Sequence, residues 1–323
     1  MPCMAQTVNQ TLTLRSPEDL LAAAPVVLGF VPTDSAVMFT FDAVSCFHAR
    51  VDLPAIGEEV DPFVEVLLPP CLRHDVGRVL FLLYSDDPVR ADRVARRLVR
   101  AFRAAGIEVV DVVRADGRRW FPLLKSRRSV PPSGVPYDVS AHLFAAESVL
   151  SGRVTHASRA DLEATVAPDP AAVARVTAAA GGPDGERPDP GWLPDTVARH
   201  VGAGSVPDDA EAARLLAGLA DVRVRDAALA LLRRDTAEAH VRLWSDLVRR
   251  APEGLVAPAA AVLGFAAWLS GNGALAWCAV DRCLATDPDH RLARHLADAL
   301  TQAVPPSMWE EVTAMPDPAQ PSP

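Results

Sequence analysis

The amino-acid sequence predicts an α/β layer, a mixed sheet with flanking helices, over residues 10–180, and then an all-α domain with tetratricopeptide-like helical hairpins over 195–305. Three observations carry this. "RVLFLLYS" (Arg78–Ser85) is a continuous apolar run of strand length, as a strand buried on both faces requires. A helix-period stretch bounded by Asp87-Pro88 and Gly106 follows it, and then a second β-rich run, Ile107–Ala115. Strand, helix, strand is a βαβ unit, whose two strands run parallel. Beyond residue 195 β-rich runs stop and apolar residues recur at helical spacing.

The elements follow in order. Ser16 can cap a helix, Pro17 suits its first position and Asp19 completes an S-x-x-D box; Pro25 is expected to end that helix and Gly29 to turn the chain. Ser35–Phe41 and Ser45–Leu53 are β-rich and joined by a short link, which predicts a hairpin. Pro62–Leu68 reads as a helix interrupted by Pro69-Pro70. After the Asp116-Gly117 turn signal, "RRWFPLL" is expected to return antiparallel to Ile107–Ala115, with Trp120 on one face and Arg119 and Phe121 on the other. Two readings of it stand open. It is an edge strand with Trp120 packed on the core, which Pro122 suits, or an aromatic platform flanked by guanidinium groups that holds an anion or a planar ligand.

Lys125–Asp138 reads as an exposed loop, and a helix is expected to end at Gly152. Ser158 with Asp161, and Asp169-Pro170, open two further helices. Residues 181–194 lack any period and are dense in Gly and Pro, a linker by composition. In the second half Asp235 and Glu238 have capping-box spacing, and two segments echo each other with closing prolines 36 residues apart, Pro252 and Pro288. Gly264, Gly271, Ala276 and Pro288 fall where a tetratricopeptide repeat places small residues and its closing proline, and Ala276, Val280 and Leu284 make one stripe. Residues 306–323 are expected to be a disordered tail.

Composition narrows the function classes. Of 323 residues 50% are hydrophobic and 23% charged, a globular profile. The five cysteines are widely spaced and include no CxxC, so they read as small buried hydrophobes and not as a zinc or disulfide framework. The start of the chain has no signal-like apolar core and no window approaches 18 uninterrupted apolar residues, so a cytoplasmic protein with no membrane partner is expected. Neither a P-loop, a dinucleotide fingerprint, a G-x-S-x-G elbow nor an H-x-x-x-H pair occurs, so no cofactor and no metal are expected. Asp34-Ser35 is either a capped turn or a loop-borne polar site; Asp52 pairs with Arg50, caps the following turn or points into a pocket, and a carboxylate pair such as Asp34 and Asp52 is conceivable for acid/base or metal work.

The charge distribution is uneven. The chain carries −9, yet Arg90–Arg128 holds eleven arginines and Lys125 against four acids, a net +8 that leaves −17 on the other 284 residues. On a helical wheel Arg90, Arg93, Arg96, Arg97, Arg100 and Arg103 share one arc, opposite Ala91, Val94, Ala95, Leu98, Ala101 and Phe102. This is either a solvated face balanced by acids from elsewhere or an anion-binding surface. The surface would join Arg93, Arg97 and Arg100 to Arg114, Arg118, Arg119 and Trp120, with Lys125, Arg127 and Arg128 near by. The reading that follows is a binding or scaffold protein, with an anionic small molecule on the first half and a protein partner on the helical half. An enzyme using Asp34 and Asp52 is the alternative. A weak nucleic-acid binder is a third, against which stand the acidic total and the two tyrosines.

Several motifs together resemble the actinobacterial domain-of-unknown-function family 4192: "SPEDLLAAAPVVLGFVPTDSAV", "ARVDLP", "DVVRADGRRWFPLL", "GVPYD", "AAESVLSGRV" followed by "SRADLEATVAP", and "AWLSGNGALAWCAVDRCLATDPDHRLARHLADAL". The resemblance spans about Leu14 to Ala303 and implies no mechanism. Relatives often carry cysteines just before the G-x-P-Y-D turn; this chain has "KSRRSVPP" there, so no metal or redox role is expected at that loop.

Overall fold

The computed structural model describes residues 3–7, 10–124, 130–150, 154–180 and 191–309, with side chains from Leu14 onward. It opens on an antiparallel hairpin, β1 (Cys3–Thr7) and β2 (Gln10–Leu14), which the sequence pattern left unassigned. Helix α1 (Pro17–Leu28) then starts from the expected box: the Ser16 hydroxyl accepts from the Asp19 N–H, and the Asp19 carboxylate accepts from the Ser16 N–H. Pro25 does not end it. A proline removes its own N–H but not its carbonyl, and the Pro25 carbonyl receives the N–H of Gly29, which at φ 76° makes the left-handed stop.

Strands β3 (Ser35–Phe41) and β4 (His48–Asp52) form the expected hairpin. Helix α2 (Asp61–Arg73) runs through Pro69 and Pro70, where the sequence predicted a break. Burial of Phe63, Val64, Leu67 and Cys71 on one face outweighs the two missing N–H groups. Strand β5 (Arg78–Tyr84), helix α3 (Pro88–Ala104) and strand β6 (Glu108–Ala115) make the predicted βαβ unit with parallel strands. The Asp87 side chain caps α3 by accepting from Val89 and Arg90.

Strand β7 (Arg119–Pro122) returns antiparallel to β6, but it is not an edge. A two-residue strand, β8 (Val135–Pro136), pairs with it from within the stretch expected to be loop, and the six-stranded order is β4-β3-β5-β6-β7-β8. One face of the sheet packs Met38, Phe81 and Leu83 against Val94, Leu98 and Phe102 of α3 and against α2. The other face carries Val37, Phe39 and Leu82 and looks toward α1, where Glu18 accepts the Trp120 indole N–H. Helix α4 (Leu143–Leu150) packs on α1.

The described residues divide into two compact units with the boundary between Arg159 and Ala160, Thr301–Ala303 falling with the first. The second is helical: α5 (Arg159–Ala164), α6 (Pro170–Ala180), α7 (Trp192–Ala203), α8 (Asp209–Gly218), α9 (Val222–Ala230), α10 (Ala237–Arg250), α11 (Val256–Leu269), α12 (Gly273–Thr286) and α13 (Arg291–Thr301). Of the expected linker, 181–190 lie outside the described residues, while Trp192–Pro194 already belong to α7. Of the expected tail, 310–323 lie outside them, as do Gly152, Lys125, Arg127 and Arg128. Helix α10 starts at Thr236 with no side-chain cap, so the Asp235/Glu238 box does not form. Helix α11 is buried on nearly every side and turns into α12 at Asn272, whose side chain accepts from the Leu275 N–H. A Cβ at Gly264 would meet Leu296 at 3.0 Å and the Ala276 carbonyl at 3.5 Å, which is why α11 needs a small residue there. No helix among the described residues is long and apolar enough to cross a membrane.

Candidate functional site

Most of the arginines predicted to form one surface are taken up by acceptors of the fold. Arg90 holds the loop after β4: its guanidinium donates to the carbonyls of Leu53 (2.7 Å) and Pro54 (2.8 Å) and pairs with Asp34 at 3.0 Å. Arg93 donates to the next carbonyl, Ala55, and Arg97 pairs with Asp61. Arg96 pairs with Asp92 one turn away. Arg114 is 6% exposed, donates to the Ser85 carbonyl and stacks 3.8 Å above the Phe121 ring. Arg119 donates to the carbonyls of Ser133 and Gly134 and so ties β8 to β7. Gly134 is required beside it, because at φ 74° an added Cβ would sit 2.5 Å from the Phe121 ring. Trp120, 6% exposed, lies on the opposite face from Arg114 and Phe121. Arg100 and Arg118 have no side-chain partner among the described residues, but Arg100 sits on α3 and Arg118 in the β6–β7 turn.

The two candidate carboxylates are brought together, and each is taken up. Asp52 stands opposite Ser35, and the Leu53 N–H donates to the Asp34 carbonyl, so the two aspartates are neighbours at one sheet corner. Arg90 pairs with Asp34 and Arg50 with Asp52. Trp120 does not join them. The register sets Asp52, Ser35, Tyr84, Ala115 and Trp120 in one row over five strands. At ~4.8 Å between strands, Trp120 is roughly 19 Å from Asp52.

That same row holds the residues the charge pattern did not reveal. It lies at the carboxyl ends of the parallel pair β5 and β6, the end where open α/β sheets take ligands. Alternation puts Ser35, Tyr84 and Arg50 on the α1 side, with Phe39 and His48 (ring centroids 5.0 Å apart). Ser35 is 0% exposed and Tyr84 7%, and neither hydroxyl has a hydrogen-bond partner among the described residues. The Nε–H of Arg50 is likewise buried and unpartnered, although its Nη2 serves both Asp52 and the Thr33 carbonyl. Burial of polar groups without partners is rare in folded proteins, so three on one face of three adjacent strands mark this end.

Both tyrosines of the chain meet here. Burial pushes the Tyr84 phenol well above the usual range, and neighbouring Tyr137 adds to it. Burial also raises Tyr137, followed by the nearby Asp116 carboxylate, against a backbone hydrogen bond at Gly117. Around them lie the Glu18–Trp120 bond and the His142–Asp19 pair at 3.2 Å. The sequence held one usable signal, a tyrosine ending an otherwise apolar strand just before the βα turn. Of the cysteines with described side chains, Cys71, Cys278 and Cys283 are buried, as expected of small hydrophobes, whereas Cys46 is half-buried; burial pushes the Cys71 and Cys283 thiols up to about 12.

A six-stranded mixed sheet with flanking helices, followed by a helical region, defines the class of protein. Residues 17–307 match the family described as "Domain of unknown function (DUF4192)", and the chain belongs to that family. Comparisons with curated proteins and with solved structures found no match.

Proposed function

We propose that the first unit is a small-molecule binding domain whose site is the α1 side of the sheet at the carboxyl ends of β5 and β6. The observation that carries this is the set of unpartnered buried donors, the Ser35 and Tyr84 hydroxyls and the Arg50 Nε–H. Each unmet donor costs about 1–3 kcal/mol, and a ligand oxygen recovers that cost on binding. The charge of Arg50 is already met by Asp52, and Asp116 stands by Tyr137, so the site offers hydrogen bonds without surplus positive charge. A neutral carbonyl or hydroxyl oxygen fits it better than a phosphate. This moves the ligand away from Arg93, Arg97, Arg100, Arg114, Arg118 and Arg119, most of which already have acceptors. For the second unit, the α11–α12 pair with Gly264 at its crossing supports a tetratricopeptide-like hairpin and, through it, a peptide partner.

Thermal denaturation of the full chain against neutral nucleosides, lactams and polyols, with inorganic phosphate as the anionic comparison, tests the reading. A neutral compound is expected to raise the midpoint, and Tyr84→Phe to abolish that rise. A rise with phosphate alone would overturn the choice of a neutral ligand, and no rise with any compound at millimolar concentration would overturn the site.

A further inference from the structure

The second unit contains a hydrogen-bonded serine, histidine and carboxylate that the reading above does not use. His200 is on the last turn of α7 and is 3% exposed. Its Nε2 lies 3.2 Å from Glu211 Oε2, on the first turn of α8, and its Nδ1 lies 2.8 Å from the Ser205 hydroxyl in the connection between the two helices. A carboxylate only accepts, so Nε2 carries the proton; Nδ1 is then the free base, and the Ser205 hydroxyl donates to it. Arg199 pairs with the other Glu211 oxygen and holds the carboxylate in place.

The local chain suits access to Ser205. Helix α7 stops at Gly204, left-handed at φ 63°, and the Ser205 N–H turns back to the His200 carbonyl, which sets the serine beside its imidazole. Ser205 itself is exposed. The spaces where Gly202 and Gly204 would carry a Cβ are open, with nothing within 4 Å. The N–H of Val206, next after the serine, has no acceptor among the described residues, and the Val206 side chain is an exposed apolar surface beside it. A nucleophile bonded to a base, the base bonded to an orienting carboxylate, and a free N–H after the nucleophile are the parts an acyl-transfer site needs.

We propose that Ser205, His200 and Glu211 form a hydrolytic site for small, short-chain carboxylic esters. Ser205 Oγ bonds to the ester carbonyl carbon while its proton passes to His200 Nδ1, and the carbonyl electron pair moves onto the oxygen, to which the Val206 N–H donates. Collapse breaks the bond to the alcohol oxygen, which leaves with the proton from Nδ1, and the acyl group remains on Ser205. Water then attacks the acyl carbon, gives a proton to Nδ1, and Ser205 leaves and takes that proton back. One ester and one water become one acid and one alcohol. Glu211 and Arg199 are positioning residues: they touch neither ester nor water.

The test uses the full chain with p-nitrophenyl acetate and an alkyl fluorophosphonate. The expected result is one phosphonate per chain, mapped to Ser205 by peptide mass spectrometry, and a hydrolysis rate that falls by about 100-fold or more in Ser205→Ala. Ser205→Ala strands the buried His200 Nδ1, so its unfolding midpoint is measured beside the rate and the two rates are compared on folded protein. Glu211→Gln lowers kcat and leaves KM unchanged. Absence of label on Ser205, or wild-type hydrolysis no faster than that of Ser205→Ala, would overturn the proposal.

Discussion

On the α3 side of the sheet Arg90, Arg93, Arg97 and Arg114 each reach an oxygen, whereas on the α1 side Ser35, Tyr84 and the Arg50 Nε–H reach none. The first set dominates any count of charge, and the second barely registers in composition. Yet the satisfied set explains how the molecule stands up, and the unsatisfied set is what a ligand would complete. Arg90 shows the point most clearly: it is the first residue of the basic stretch, and it works as a clamp on two consecutive loop carbonyls, Leu53 and Pro54, and on the Asp34 carboxylate.

The sharpest way to break this contrast is Arg90→Ala. It strands the carbonyls of Leu53 and Pro54 and unpairs Asp34, and an unfolding free energy lower by about 3 kcal/mol is expected in urea denaturation. If Arg90 were part of a ligand surface instead, its loss would leave stability nearly unchanged.

A smaller effect comes from alkaline pH. The folded state holds the Tyr84 proton more tightly than the unfolded chain does, because its phenol is raised by burial. Stability from this group is therefore complete below pH 10, the ordinary value of tyrosine, and is lost as pH rises beyond it. Ultraviolet titration should show Tyr84 ionising only together with unfolding. Ionisation of both tyrosines near pH 10 in folded protein would place Tyr84 in contact with water.

The smallest effect belongs to Arg100→Ala. With no partner to lose, the substitution should change stability by no more than about 0.5 kcal/mol. A larger loss would extend the clamp description to the whole face of α3.

Much of the first unit was legible in local sequence. The Ser16 and Asp87 caps, the βαβ unit and the turn at Gly117 depend on residues within a few positions of one another. The failures have two causes, tertiary packing that overrode local preference and a strand too short to carry a pattern. Pro25, Pro69 and Pro70 remain helical, and β8 is too short to show a strand pattern. The site was less legible. Tyr84 sat inside an apolar run and counted as core, and its neighbour Ser35 is adjacent only through the register of β3 on β5. Likewise the acceptors of Arg90 and Arg93 are backbone carbonyls, which no side-chain pattern displays. Asp34 and Asp52 are neighbours through the register of β4 on β3, and each meets an arginine, Arg90 and Arg50, that the spacing of the two acids does not display.

The unfolding free energy of Tyr84→Phe without ligand tests the central claim most directly. A hydroxyl kept without a partner should be a burden to the empty protein, so its removal is expected to raise stability by about 1 kcal/mol, and Ser35→Ala to act in the same direction. A fall of about 1 kcal/mol would mean that the Tyr84 hydroxyl already has its partner within the fold, and would contradict the account.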